Sequence, residues 1–99
     1  MVIGVLQVEL VIPGAQSLKD KRRVVLSVKD RMHREHQVSV AEVDGQDDCR
    51  RAVLGIAMAS ADTSYCQSVL SRIVDKLRLE KDCVLSDHRQ EILTGQGNS

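Results

Sequence analysis

Thiols and imidazoles are the side chains here best suited to nucleophilic or metal chemistry, and the chain carries three of each: Cys49, Cys66 and Cys83, with His33, His36 and His88. No two cysteines form a C-x-x-C pair, and an odd number makes no disulfide framework, which suits a reducing cytosol. Cys66 falls on an apolar helical stripe, where a free thiol behaves as a small hydrophobe. His33 and His36 lie three apart within Met32-His33-Arg34-Glu35-His36. That is not the two-histidine zincin spacing, and two imidazoles fall short of the three or four ligands zinc requires. Near a helix C-terminus, cationic side chains are favoured by the dipole in any case. His88 stands alone. Pro13-Gly14-Ala15-Gln16 leads into a helix N-terminus, a natural anion site, but one glycine makes neither a Walker loop nor a dinucleotide fingerprint. No cofactor or metal is expected, and no constellation specifies a reaction.

The charge pattern is more unusual. Lys19, Lys21, Arg22 and Arg23 crowd the first turns of a helix, where positive charge opposes the dipole at a cost of a few tenths of a kcal/mol each. Over residues 17–36 seven basic side chains face three acidic ones, although the whole chain balances at 14 and 14. The chain as a whole therefore lacks the field of a dedicated nucleic-acid binder, and any such binding must use a local patch. Lys21 lies near the middle of the helix's apolar stripe, so its stem is expected to pack while its ammonium snorkels outward.

The elements that position these residues can be read in order. From Val2 to Ile12 the even positions are Val, Gly, Leu, Val, Leu and Ile, a strand with one strongly buried face. Pro13-Gly14 ends it. Ser17 and Asp20 resemble a capping box opening a helix to about His36, with Leu18, Val25, Val28 and Met32 on its buried side. Gln37 to Val43 predicts a second strand, and Asp44-Gly45-Gln46-Asp47-Asp48 a hairpin into a third, Arg51 to Ala61. Asp62 caps a second helix that ends near Glu80 and buries Cys66, Val69, Leu70, Ile73 and Leu77. Cys83 to Leu93 alternates poorly and predicts an edge strand. Residues 1–94 form one domain, and 95–99 a frayed tail.

This order is that of an α+β, ferredoxin-like βαββαβ sandwich: a four-stranded antiparallel sheet, strands one and three central, and both helices on one face. Ninety-nine residues suffice for such a core without disulfides or metal. Tyr65 is the sole aromatic, so the sheet offers no stacking platform of the kind RNA-recognition motifs use. Acylphosphatases share this fold but use an arginine and an asparagine, and the only asparagine here is Asn98. The apolar N-terminus carries Gln7 and Glu9 and has no basic leader, so a signal peptide is not expected. No stretch is long and apolar enough for a membrane span. A cytoplasmic protein is expected.

The topology brings the hairpin acids Glu42, Asp44, Asp47 and Asp48, with Arg50 and Arg51, to the basic helix start. Two readings are open. Either the acidic hairpin and basic helix pair as a solvated ionic end, or Lys19, Lys21, Arg22, Arg23, Arg50 and Arg51 form a surface for RNA or an acidic partner. Ile3, Val5 and Val11 on the helix-free face offer a third possibility, an apolar patch for a homodimer.

Three blocks, Ser17-Leu18-Lys19-Asp20-Lys21-Arg22-Arg23, Val38-Ser39-Val40-Ala41-Glu42-Val43-Asp44 and Arg51-Ala52-Val53-Leu54-Gly55-Ile56-Ala57, resemble in order and spacing the bacterial YlxP-like family of small uncharacterised proteins. The resemblance covers nearly the whole chain and implies a ferredoxin-like fold. Genes of that family tend to adjoin those for ribosome-binding factor A and for translation initiation and transcription termination factors. It thus implies, by association, a non-enzymatic role in ribosome maturation or translation, with ribosomal RNA or a ribosome-associated protein as partner. One departure stands out: where the family usually has an aromatic in the hairpin, this chain has Gln46-Asp47-Asp48-Cys49.

Overall fold

A computed structural model describes residues 1–95. Its elements run β1 (Val2–Val11), α1 (Leu18–His36), β2 (Ser39–Asp44), β3 (Arg51–Ser60), α2 (Thr63–Leu77) and β4 (Val84–Thr94). The sheet order is β2-β3-β1-β4, every neighbouring pair antiparallel, so the two apolar strands are central as their composition demands. This is the ferredoxin-like arrangement expected from the element order.

The alternation in β1 sends Leu6, Val8 and Leu10 to the helix side, all fully buried, while Ile3, Val5, Gln7 and Glu9 face the open side. Leu54 and Ile56 of β3 join the buried layer, and Val25, Val28, Met32, Leu70, Ile73 and Leu77 cover it from the two helices. Burying an aliphatic side chain contributes about 1.5–3 kcal/mol, and with no large aromatic available these residues must carry the core. Gly4 has a packing reason to lack a side chain. A Cβ there would overlap Cys66 Sγ and lie 3.0 Å from Leu70 Cδ1, so α2 rests directly on the strand.

The helix ends follow local chemistry. Ser17 Oγ accepts from the Asp20 N–H at 3.1 Å, and Asp20 Oδ2 accepts from the Gln16 N–H at 3.0 Å, a capping box that reaches one residue further back than usual. Gln37 closes α1 in the left-handed region, φ 56°, so β2 starts at Ser39 rather than Gln37. Helix α2 is capped by Asp62 and ends at Leu77, short of Glu80, its last turns tightening through Leu79 and Glu80 N–H bonds to carbonyls three residues back.

Two details of burial differ from the expectation. Leu18 is 37% exposed at the rim, and Lys21 takes its place on the buried stripe. Cys83, just before the polar edge strand, is buried in the core. The expected tail from Gly95 lies largely outside the described residues, but the Gly95 N–H itself donates to the Met1 carbonyl at 2.9 Å.

Candidate binding surface at the charged end

Lys21 organises this end of the molecule. Its side chain is buried, and the ammonium does not snorkel outward, because oxygens inside the fold meet it first. They are Glu42 Oε2 at 2.9 Å and the carbonyls of Gly45 (2.7 Å), Arg51 (3.2 Å) and Gln46 (3.3 Å). Three N–H donors shared over four oxygens satisfy a buried charge and tie α1 to the β2–β3 hairpin. Gly45, at φ 77°, makes the turn that aims its carbonyl inward.

The other five cations take different positions. Lys19 and Arg22 are exposed and have no hydrogen-bond or ion-pair partner among the described residues. Arg23, its side chain 76% exposed, is 3.9 Å from Asp20 at the limit of an ion pair. Arg50 donates through Nε to the Ala15 carbonyl at 3.1 Å, and its own backbone carbonyl accepts from the Ile12 N–H, so it staples the hairpin to the β1–α1 loop. Arg51 turns to the opposite, helix-free face. There it donates to Glu9 Oε2 at 2.7 Å, a bond that raises its pKa. The structure therefore leaves Lys19, Arg22 and Arg23 solvent-facing on the first turns of α1, Lys19 and Arg22 on one flank and Arg23 on the other, with Arg50 beside the same loop as Arg23. It withdraws Lys21 into the interior and places Arg51 on another surface.

The hairpin acids do not form a counter-layer to these cations. Glu42 pairs with Lys21, Asp44 accepts from the Gly45 N–H at 2.8 Å, and Asp48 from the Arg50 N–H at 2.9 Å. These are turn-forming bonds. The ionic contact between the two segments is one buried pair, not a solvated network.

The remaining candidates have structural roles. His33 Nδ1 lies 2.8 Å from the Val38 carbonyl, while the largely buried His36 ring has Nε2 4.0 Å from Glu35 Oε1, its pKa lowered chiefly by burial and further by the charge of Lys76. The two imidazoles sit in separate environments and do not converge. Cys66 and Cys83 are buried thiols, both held protonated by burial, Cys83 with its pKa pushed up to about 11. Cys49 is half-exposed in the hairpin.

Two features escaped the sequence reading. A cleft of about 540 Å³ runs between the C-terminal ends of the helices, crossed by a bidentate pair from Arg31 to Glu80 (2.6 and 2.7 Å) and a contact from Lys76 to Glu35 (3.1 Å). The second is a flank of α1 beside strand β2, where Leu26, Lys29, Asp30, His33 and Val40 line a groove of about 260 Å³. Its signal was present in the spacing of Arg22, Leu26, Lys29 and His33, which recur every three or four residues.

Comparison with known proteins agrees with this architecture. A family described as protein of unknown function (DUF503) matches residues 3–90. The uncharacterized protein YlxP of Bacillus subtilis is 33% identical over 72 residues, 73% of this chain and 78% of that protein. Among solved structures, the solution NMR structure of a de novo designed protein with a ferredoxin fold superimposes with a TM-score of 0.52 at 19% identity, covering 100% of this chain and 91% of that one. That likeness concerns the fold alone. No helix among the described residues is long and apolar enough to cross a membrane. The chain belongs to the YlxP-like DUF503 family of proteins of unknown function.

Proposed function

We propose that this chain is a non-enzymatic, cytoplasmic accessory protein of the translation apparatus that contacts RNA phosphates through Lys19, Arg22 and Arg23, with Arg50 at the edge of the footprint. One observation carries the reading: three outward cations stand on the first turns of α1 without full ionic compensation, where the helix dipole disfavours them. Lys21 and Arg51 act as framework, the first holding the hairpin and the second bridging to Glu9. With no aromatic on the sheet or on α1 to stack bases, recognition rests on the backbone of structured RNA. Three or four phosphate contacts correspond to a log K against log salt slope of about −3. The test is filter binding of ribosomal RNA fragments, together with sedimentation of lysates, for the R22E/R23E variant. Binding and ribosome association should fall, and the slope should flatten by about 2. Unchanged association at low salt would refute the proposal.

A second reading is favoured by the apolar end of the open sheet face, where Ile3 pairs in register with Ala59 and Leu93, the latter 45% exposed. A homodimer through this patch would be nearly insensitive to salt and would be lost in L93D by analytical ultracentrifugation.

A further inference from the structure

Strand β2 is an edge strand, paired on one side by β3 and open on the other. Beside that open edge runs one flank of α1, whose residues Lys19, Arg22, Leu26, Lys29 and His33 follow each other in steps of three and four and so share a stripe. Leu26 is 55% exposed, a large apolar side chain facing the groove that Val40 of β2 also lines. Lys19, Arg22 and Lys29 have no acidic partner among the described residues. Asp30 also lines the groove, and its charge is offset by Arg34 at 3.2 Å. His33 Nδ1, by taking the Val38 carbonyl, closes the start of the edge, and the Gln46 side-chain amide reaches the Glu42 carbonyl at 3.5 Å where the β2 register shifts, so the open stretch is the backbone between them.

We propose that this groove takes an extended acidic segment of a partner protein, added as a fifth strand beside β2. The geometry supplies a side-chain pattern. Arg22 and Lys29 lie about 10 Å apart along the helix axis with Leu26 between them. Every second residue of an added strand points to the helix side, and residues i and i+4 are about 13 Å apart. An acid at i, an aliphatic residue at i+2 and an acid at i+4 therefore place carboxylates within reach of the two flexible cations and the apolar side chain on Leu26 and Val40. Main-chain bonds to the open edge supply affinity, and the alternate side chains supply selectivity. A protein segment fits better than RNA here, because the centre of the stripe is apolar, no aromatic lies in it, and the edge offers a backbone ladder that nucleic acid cannot use. This surface shares Arg22 with the RNA-contacting helix start, while Leu26, Lys29 and Val40 lie beyond that footprint. Arg23 points to the other flank, lining a cleft with Gly14, Ala15 and Gln16.

The probe is the capped peptide acetyl-Glu-Thr-Leu-Thr-Glu-amide, whose pattern reads the same in either strand direction, titrated into the isotopically labelled protein by NMR. Amide shifts are expected to concentrate in Ser39–Asp44 and on the α1 flank. L26D should weaken binding about tenfold or more, and K29E roughly threefold. Leu26 is exposed and Lys29 half-buried, outside the core, so the variants should fold, and unchanged spectra elsewhere will verify it. R23E should leave peptide binding intact while weakening RNA, which separates a failure here from a failure of the RNA reading. The inference is overturned if the lysine counterpart acetyl-Lys-Thr-Leu-Thr-Lys-amide binds equally well, if L26D binds like the parent, or if the shifts map elsewhere. Equally, an oligouridine RNA that shifts the same Ser39–Asp44 amides would assign the groove to nucleic acid and overturn it; competition alone is expected, since both ligands use Arg22.

Discussion

Replacing Lys21 with methionine isolates what its ammonium does, because the methionine keeps most of the buried stem and deletes only the charge and its donors. Left behind are the Glu42 carboxylate, its side chain 22% exposed, and the inward carbonyls of Gly45, Gln46 and Arg51. An orphaned buried acceptor costs about 1–3 kcal/mol, and removing one partner of a buried ion pair about 3–5 kcal/mol in total. Water reaching Glu42 moderates the first figure, so K21M is expected near the lower end, about 3 kcal/mol. A domain of this size has about 5–15 kcal/mol in all. With a urea slope of ~1 kcal/mol/M, the denaturation midpoint should fall by about 3 M. E42Q keeps an oxygen at the same place and loses only charge assistance, so it should cost about 1 kcal/mol. Far-UV circular dichroism during urea titration of the two single variants and the double variant closes the cycle. A cost below about 0.5 kcal/mol for K21M, or a coupling to E42Q near zero, would show that desolvation cancels the bonds and that Lys21 does not clamp the hairpin.

Other outcomes follow from the packing and the titrating groups. G4A places a methyl against Cys66 Sγ and should destabilise the fold by about 1–3 kcal/mol. The double variant G4A/C66A should lose less than the sum of the two singles, measured by the same titration. Of the three thiols, a disulfide reagent should label Cys49 rapidly in the native protein and all three only in denaturant, since Cys66 and Cys83 are buried and protonated. Burial holds His36 below its ordinary value of 6.5, and its Nε2 is buried without a hydrogen-bond partner among the described residues. As pH falls through about 6.5 the unfolded chain therefore takes up the proton first, and stability is lost toward the lower folded pKa. H36L should abolish that component of the pH dependence, read from urea midpoints between pH 7.5 and 5.5.

How far the sequence reveals this molecule differs from residue to residue. The β1 alternation, the Ser17 and Asp62 caps and the polar composition of β4 are local signals strong enough to place every element. The fate of Lys21 is not local. Its local default is to snorkel, and only the hairpin, 21 to 30 residues away, supplies the carboxylate and carbonyls that draw the ammonium inward. Arg51 was readable by parity: it alternates with the buried Ala52 and Leu54 and so points away from the helices. The α1 groove needed two facts together, the periodic stripe and the knowledge of which flank meets an open edge. Cys83 was hidden because a polar strand gives no alternation from which to infer its burial.

These assignments bear on what the charged end is for, because structural roles can be subtracted from it. Lys21 is accounted for by the hairpin clamp, Arg50 by the loop it staples and Arg51 by Glu9. Had all six cations been held this way, the broken dipole rule at α1 would be the local cost of a clamp and would carry no message about partners. Lys19, Arg22 and Arg23 remain. Each costs a few tenths of a kcal/mol against the dipole, and only Arg23 has even a marginal acidic neighbour. The sheet contacts that fix the fold do not involve them. A cost that the fold neither needs nor offsets is what selection for an external anionic partner would leave, and for that reason the proposed RNA footprint rests on these three, with Arg50 only at its edge, and not on the six that the sequence brought together.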